Sequence, residues 1–225
     1  MTFSISARCA RTGLFGITVS SSSPCVAARC AHARSGVGAV ATQNITDPTL
    51  GPRGLDLMAS GLSAAEALVE LKTGAQHIEY RQLTLVDRQG RTASFSGAKT
   101  LGTYRTVEAE NVVAAGNLLA HRDVPVRMVE AFQASEGRHL GDRLIGAMRA
   151  ALEAGGEEGP VNSIGMLLVR DVAWPIADLR VDWHETDPIG ELESLWRLWL
   201  PQMDDYVTRA LNPTKAPSYG VPGDM

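Results

Sequence analysis

The stretch from residue 1 to 21, "MTFSISARCARTGLFGITVSS", decides how the chain is read. β-formers alternate or cluster over 3–8 and 14–21, and Thr12-Gly13 between them is a turn signal, so the stretch predicts an antiparallel hairpin. Its first strand opens at Thr2, directly behind Met1. Threonine is small enough for an initiator methionine in front of it to be accessible to removal. A threonine exposed in that way carries a hydroxyl and a free amine on adjacent carbons, which together can serve as nucleophile and base. An α-amine titrates at about pH 8 in model peptides, close to the working pH of a general base. Alternatively, Thr2 is only the first residue of a strand.

Outward from the hairpin, "SGVGAVATQ" (35–43) predicts a strand of small residues, and "DPTLGPRGLDLMASG" and "SAAEALVELKTG" predict two short helices. Ser63 and Glu66 have capping-box spacing at the start of the second. Residues 80–97 form the clearest hairpin, with "DRQG" at its turn, and 111–119 add a strand. Helices are expected at 124–134, capped by Asp123 with Pro125 in the first turn, and at 139–154, where Leu140, Leu144, Ile145, Met148, Ala151 and Leu152 share a face. Strands at 163–170 and 177–183 precede a terminal helix carrying Leu192, Trp196, Trp199 and Met203, interrupted by Pro201. Strand blocks separated by helix pairs suit antiparallel sheets covered by helices rather than alternating βαβ units. One domain over 1–211 is expected, followed by a flexible tail at 212–225.

A chain of 225 residues with 44% hydrophobic content builds its core without staples. A net charge of -4, three lysines and no dense arginine run argue against nucleic acid or an anionic membrane as a partner. Three cysteines outside any C-x-x-C motif favour a reducing compartment. With no apolar run of membrane-spanning length, a cytoplasmic location is expected.

"GVGAVA" (36–41) fits a relaxed dinucleotide pattern, yet "TQNITDP" follows where a helix should open, and Asp56 falls in an expected helix. These glycines therefore suit a closely packed strand, and no cofactor is expected. Cys9, Cys25, Cys30 and His32 match no closed zinc spacing, so no metal is expected either. Gly116-Asn117, ending a predicted strand, offers an amide donor for an oxyanion or a substrate carbonyl, and is equally ordinary turn chemistry.

The segments "MTFSISAR", "TGLFGITVSS", "SGVGAVATQ", "DPTLGPRGLDLMASGLSAAEAL", "AAGNLL" and "DLRVDWHETDPIGEL" resemble, in the same order, the bacterial domain-of-unknown-function family 1028, assigned to the N-terminal-nucleophile (Ntn) hydrolase superfamily. The resemblance runs from Thr2 to about Leu195. It implies an α+β fold, a four-layer αββα sandwich of two antiparallel sheets, and it puts Thr2 in the nucleophile's place with its own amine as base. Cys9 stands where the family commonly has an acidic residue, and Ser22 where it often has Lys or His. In the late motif "GGEEGPVNS", Glu157 keeps the carboxylate, Gly159 takes the place of Arg, and Asn162 that of Gln.

The expected function is hydrolysis of a small amide or short peptide, without cofactor or metal. Thr2 is the expected nucleophile and base, Asn117 and Ser20, Ser21 and Ser22 are candidate oxyanion or substrate donors, and Arg34 is a further substrate-binding candidate. The competing expectation is a non-catalytic binding or structural protein that keeps the fold. Four tryptophans within 174–199 further suggest a homodimer, because tryptophan is enriched at interfaces. Sedimentation at micromolar concentration is expected to give a dimer; a monomer rules the dimer out.

Overall fold

The opening hairpin forms from β1 (Thr2–Arg8) and β2 (Phe15–Ser21), paired antiparallel with Thr2 opposite Ser21 and turned at Gly13, whose φ is +73°. The structure is a computed structural model that describes residues 1–221. After the hairpin come α1 (Ala27–Cys30), β3 (Ala31–Arg34), β4 (Gly38–Asn44), α2 (Leu50–Ala59) and α3 (Ala64–Gly74). Then follow β5 (Arg81–Asp87), β6 (Thr92–Ser96), β7 (Arg105–Ala109) and β8 (Val112–Asn117). The chain continues through α4 (Val124–Ala134), α5 (Leu140–Glu153), β9 (Ser163–Val169), β10 (Ala177–Val181), α6 (Pro188–Trp199) and α7 (Met203–Leu211).

Two antiparallel sheets result, one in the order β10-β9-β2-β1-β8-β7 and one in the order β3-β4-β5-β6. Strand alternation explains their layering. Phe3, Ile5 and Ala7 of β1 share a core with Met128 and Phe132 of α4 and with Leu144 and Met148 of α5. Val40, Leu83 and Leu85 of the smaller sheet pack with Leu55 of α2 and with Leu68 and Leu71 of α3. The remaining faces of the two sheets meet each other, which completes the αββα order and the α+β class. Gly16 lets α5 settle on β2, since a Cβ there would lie 2.6 Å from side-chain atoms of Leu144 and Leu168.

The space between the sheets changes character along β1. Near Arg8 it holds the apolar cluster Phe15, Ala39, Val86 and Val169. Toward Thr2 it is polar and buried. Ser4 Oγ donates to Gln43 Oε1 at 2.6 Å, and Ser6 Oγ and Thr84 Oγ1 lie 3.4 Å apart. Gln82 binds four partners: its Nε2 donates to Ser96 Oγ (2.9 Å) and to the Gly116 carbonyl (3.0 Å), while its Oε1 accepts from Gln43 Nε2 (2.7 Å) and Asn117 Nδ2 (3.1 Å).

The Ser63–Glu66 capping box forms, and the chain breaks at Pro201 between α6 and α7. Other local expectations need correction. Asp123 makes no side-chain cap; its carboxylate pairs with Arg105 at 3.2 Å instead. The strand expected from residue 35 starts at Gly38, because 35–37 turn the chain back from β3. The short elements α1, β3 and β7 lack enough periodicity to predict. From α7, Arg209 donates to the Pro217 carbonyl at 3.0 Å and its guanidinium stacks 3.9 Å from the Tyr219 ring centre; residues 222–225 of the expected tail lie outside the described residues.

Gln82→Ala strands buried partners on both sheets and is expected to lower the unfolding free energy by about 3 kcal/mol. Urea denaturation measures this, and a loss below about 1 kcal/mol would mean that the polar layer does not hold the sheets together.

Candidate functional site

β1 is central in the larger sheet, so its first residue has a strand on either side. Thr2 stands in register with Ser21 of β2 and Asn117 of β8. All three fall on the alternation that faces the smaller sheet, and each is buried. The Thr2 Oγ1 donates to the Met1 carbonyl oxygen at 2.5 Å, and Ser21 Oγ donates to the same oxygen at 2.5 Å. The two hydroxyl oxygens lie 3.4 Å apart, and the Ser23 N–H donates to Ser21 Oγ at 3.1 Å. One carbonyl oxygen is thus seated between two hydroxyl donors at the head of a rigid strand.

The amine of Met1 lies 4.0 Å from Glu157 Oε2. Glu157 follows α5 on a segment fixed by an antiparallel bridge to Leu119, by the Glu158 N–H on the Leu118 carbonyl (3.0 Å) and by the Ala120 N–H on the Gly156 carbonyl (3.1 Å). Its side chain is fully buried, and neither carboxylate oxygen has a hydrogen-bond partner of good geometry. Burial pushes the Glu157 carboxyl up to about 8, against the opposing pull of the Met1 amine and the Ser22 N–H. Met1 Cε presses on Gly159, where a Cβ would approach it to 2.7 Å.

Asn117 is held by its bond to Gln82, which fixes its amide beside Thr2. Ser21 joins Thr2 directly. Ser22 is half-buried in the loop after β2 and turns its N–H toward Glu157. Ser20 points to the opposite face of the sheet, where its Oγ donates to the Ser163 carbonyl at 2.9 Å. Arg34 ends the edge strand β3 and pairs with exposed Asp56 at 2.8 Å; its neighbour Ala33 packs on the Phe15 cluster, away from Thr2. Cys9, Cys25 and Cys30 are free thiols, and among the described residues no three His, Cys, Asp or Glu gather as metal ligands.

Three residues of the site's surroundings escape the list of sequence candidates: Glu157, Gln43 and Gln82. For Glu157 the available signal was the carboxylate of "GGEEG". For the glutamines it was polar residues at alternate positions of strands that are otherwise apolar.

Fold and site define a class: an α+β sandwich whose central strand begins with a buried threonine beside a buried carboxylate. Residues 2–192 match the model described as "Family of unknown function (DUF1028)", and the chain belongs to that family. A crystal structure of a protein of the same family from Silicibacter pomeroyi is 30% identical, with a TM-score of 0.81 over 88% of each chain. Anbu (ancestral beta-subunit) from Yersinia bercovieri is 10% identical over 91% of this chain and 97% of its own, with a TM-score of 0.38, too low to carry an argument. No curated protein matches. Among the described residues no helix is long and apolar enough to cross a membrane.

Because the Glu157 carboxyl titrates higher in the folded chain than unfolded, the folded state holds the extra proton between the two values. Stability therefore falls as pH rises from the ordinary carboxylate range to about 8, and is level above it. Urea midpoints at pH 5 and pH 8 measure the difference, and Glu157→Gln is expected to shrink it. An unchanged difference in that variant would assign the pH dependence to other groups.

Proposed function

We propose that the protein is an N-terminal-nucleophile hydrolase of a small amide or short peptide, working from Thr2 once Met1 has been cut away. The observation that supports this is the seat of Met1 itself. Its carbonyl oxygen accepts from Thr2 Oγ1 and Ser21 Oγ, and its amine faces the buried Glu157. Met1 thereby marks where an aminoacyl group fits, with a nucleophile and an oxyanion donor at its carbonyl and a carboxylate at its amine. The favoured substrate is accordingly an amide or peptide with a free α-amine on its acyl side.

In the first half-reaction the Thr2 oxygen adds to the substrate carbonyl carbon, and its proton passes to the freed Thr2 amine. The Ser21 hydroxyl donates to the developing oxyanion. The C–N bond then breaks, the Thr2 amine returns the proton to the departing nitrogen, and an acyl ester remains on Thr2. Water, deprotonated by the same amine, attacks that ester; the ester C–O bond breaks, the amine returns the proton to the Thr2 oxygen, and the acid leaves. Asn117, clamped by Gln82, keeps β8 in register beside the nucleophile and offers a further amide donor. With Met1 in place the Thr2 nitrogen is an amide and cannot act as base, and the acyl seat is filled.

The test is hydrolysis of alanine and leucine 4-nitroanilides, each with its N-acetylated counterpart, by processed, Met1-retaining, Thr2→Ala and Thr2→Ser protein. Processed protein is expected to be active, with Thr2→Ala reduced by about a thousandfold and Thr2→Ser retaining a fraction. The acetylated substrates are expected to react more slowly. Equal background rates in all four proteins would favour a non-catalytic binding protein of the same fold.

A further inference from the structure

A cavity of about 530 Å³ opens at the Arg8 end of β1. Thr2 and Arg8 bound that strand, so at about 3.3 Å per residue the two sites lie roughly 20 Å apart. The volume falls in the range of small-molecule sites. Four arginines line it, Arg8, Arg11, Arg138 and Arg143, against two carboxylates, Glu110 and Glu136. Elsewhere Arg91, Arg149 and Arg170 are each neutralised by a carboxylate within 4.0 Å. None of the four cavity arginines has such a partner among the described residues.

Arg143 is the informative one. It is only 9% exposed, yet it lines the cavity. Its Nε and Nη2 both donate to the Phe132 carbonyl, at 3.3 and 3.0 Å, and its guanidinium lies 3.8 Å from the Phe132 ring centre. These contacts fix the planar group, and among the described residues Nη1 makes no hydrogen bond. A buried guanidinium with no carboxylate within 4.0 Å among the described residues, and only the more distant carboxylate pull of Glu136, is costly, and its preset orientation suits an oxyanion that takes two parallel hydrogen bonds. Arg8 is steadied by Asn111 Oδ1 at 3.1 Å, and Arg11 reaches the Gly137 carbonyl at 3.4 Å. Arg11 and Arg138 are exposed at the rim. This convergence of positive charge occurs on a chain whose net charge is -4.

We propose that this cavity is a binding site for a small polyanion bearing phosphate or carboxylate groups, with Arg143 engaging it from the floor and Arg11 and Arg138 from the rim. The guanidinium fork fits both oxyanions, so two probes separate the sources. Isothermal titration of the full chain at low salt uses pyrophosphate in one arm and citrate in the other. At least one is expected to bind at a single site; pyrophosphate alone assigns phosphate chemistry, and citrate alone assigns carboxylate chemistry. Arg143→Gln and the rim variant Arg11→Glu/Arg138→Glu are each expected to weaken binding by about tenfold or more. Circular dichroism checks that each variant is folded, and if Arg143→Gln is not, the rim variant decides alone. The proposal is overturned if neither probe gives saturable heat up to about 10 mM, or if the folded rim variant binds as tightly as the parent.

Discussion

The hydrogen bonds of the Gln82 amide hold the two sheets in one fixed relation. A protein interior that faces two sheets together is usually filled with branched apolar side chains, which interdigitate and tolerate small shifts. Here the half of the interface nearest Thr2 is built from Ser4, Gln43, Gln82, Thr84 and Asn117 instead. Hydrogen bonds at 2.6–3.1 Å have far narrower tolerances than dispersion contacts, and leaving any one unmade in a buried interior is expensive. Gln82 reaches the Gly116 carbonyl and the Asn117 amide on β8, the strand beside Thr2. The register between the sheets is thereby transmitted to the threonine.

β1 carries the consequence. Its odd residues, Phe3, Ile5 and Ala7, are fully buried against helices, so the strand cannot slip or twist without exposing core. Its even residues, Thr2, Ser4 and Ser6, face the polar layer. The proposed role of Thr2 asks for a fixed position more than a flexible one, and a central strand anchored on both faces provides that. At the head of this strand the structure tolerates a costly feature, the Glu157 carboxyl buried with neither oxygen in a hydrogen bond of good geometry. Among the described residues its one nearby counter-charge is the Met1 amine, at 4.0 Å. The expense falls at the end of β1 that carries Thr2, and a buried ionisable group of this kind is a feature of functional sites in general.

The two ends of β1 differ in kind. One end gathers hydroxyls, an amide and a carboxylate around a carbonyl oxygen; the other gathers four guanidiniums around an open cavity. The Phe15 cluster between the sheets separates their chemistry with apolar packing. Each end is therefore a distinct electrostatic environment mounted on the same rigid element.

Local pattern in the sequence was enough for much of the fold. The Thr12-Gly13 turn, the "DRQG" hairpin, the Ser63–Glu66 capping box and the break at Pro201 each depend on neighbours a few residues apart, so each was legible. Segments without such a signal, α1, β3 and β7, take their structure from the strands they join and were not. The placement of Thr2 at the head of a strand in the opening hairpin likewise followed from the sequence, while its register with Ser21 came from the structure. Tertiary structure alone decided that Glu157 would come to Met1 and that Gln43 and Gln82 would meet Asn117. It also drew Arg143 to the same cavity as Arg8 and Arg11. The reason is physical: hairpins and caps are closed by contacts near in sequence, whereas burial and charge pairing depend on which distant segments the packed core brings together.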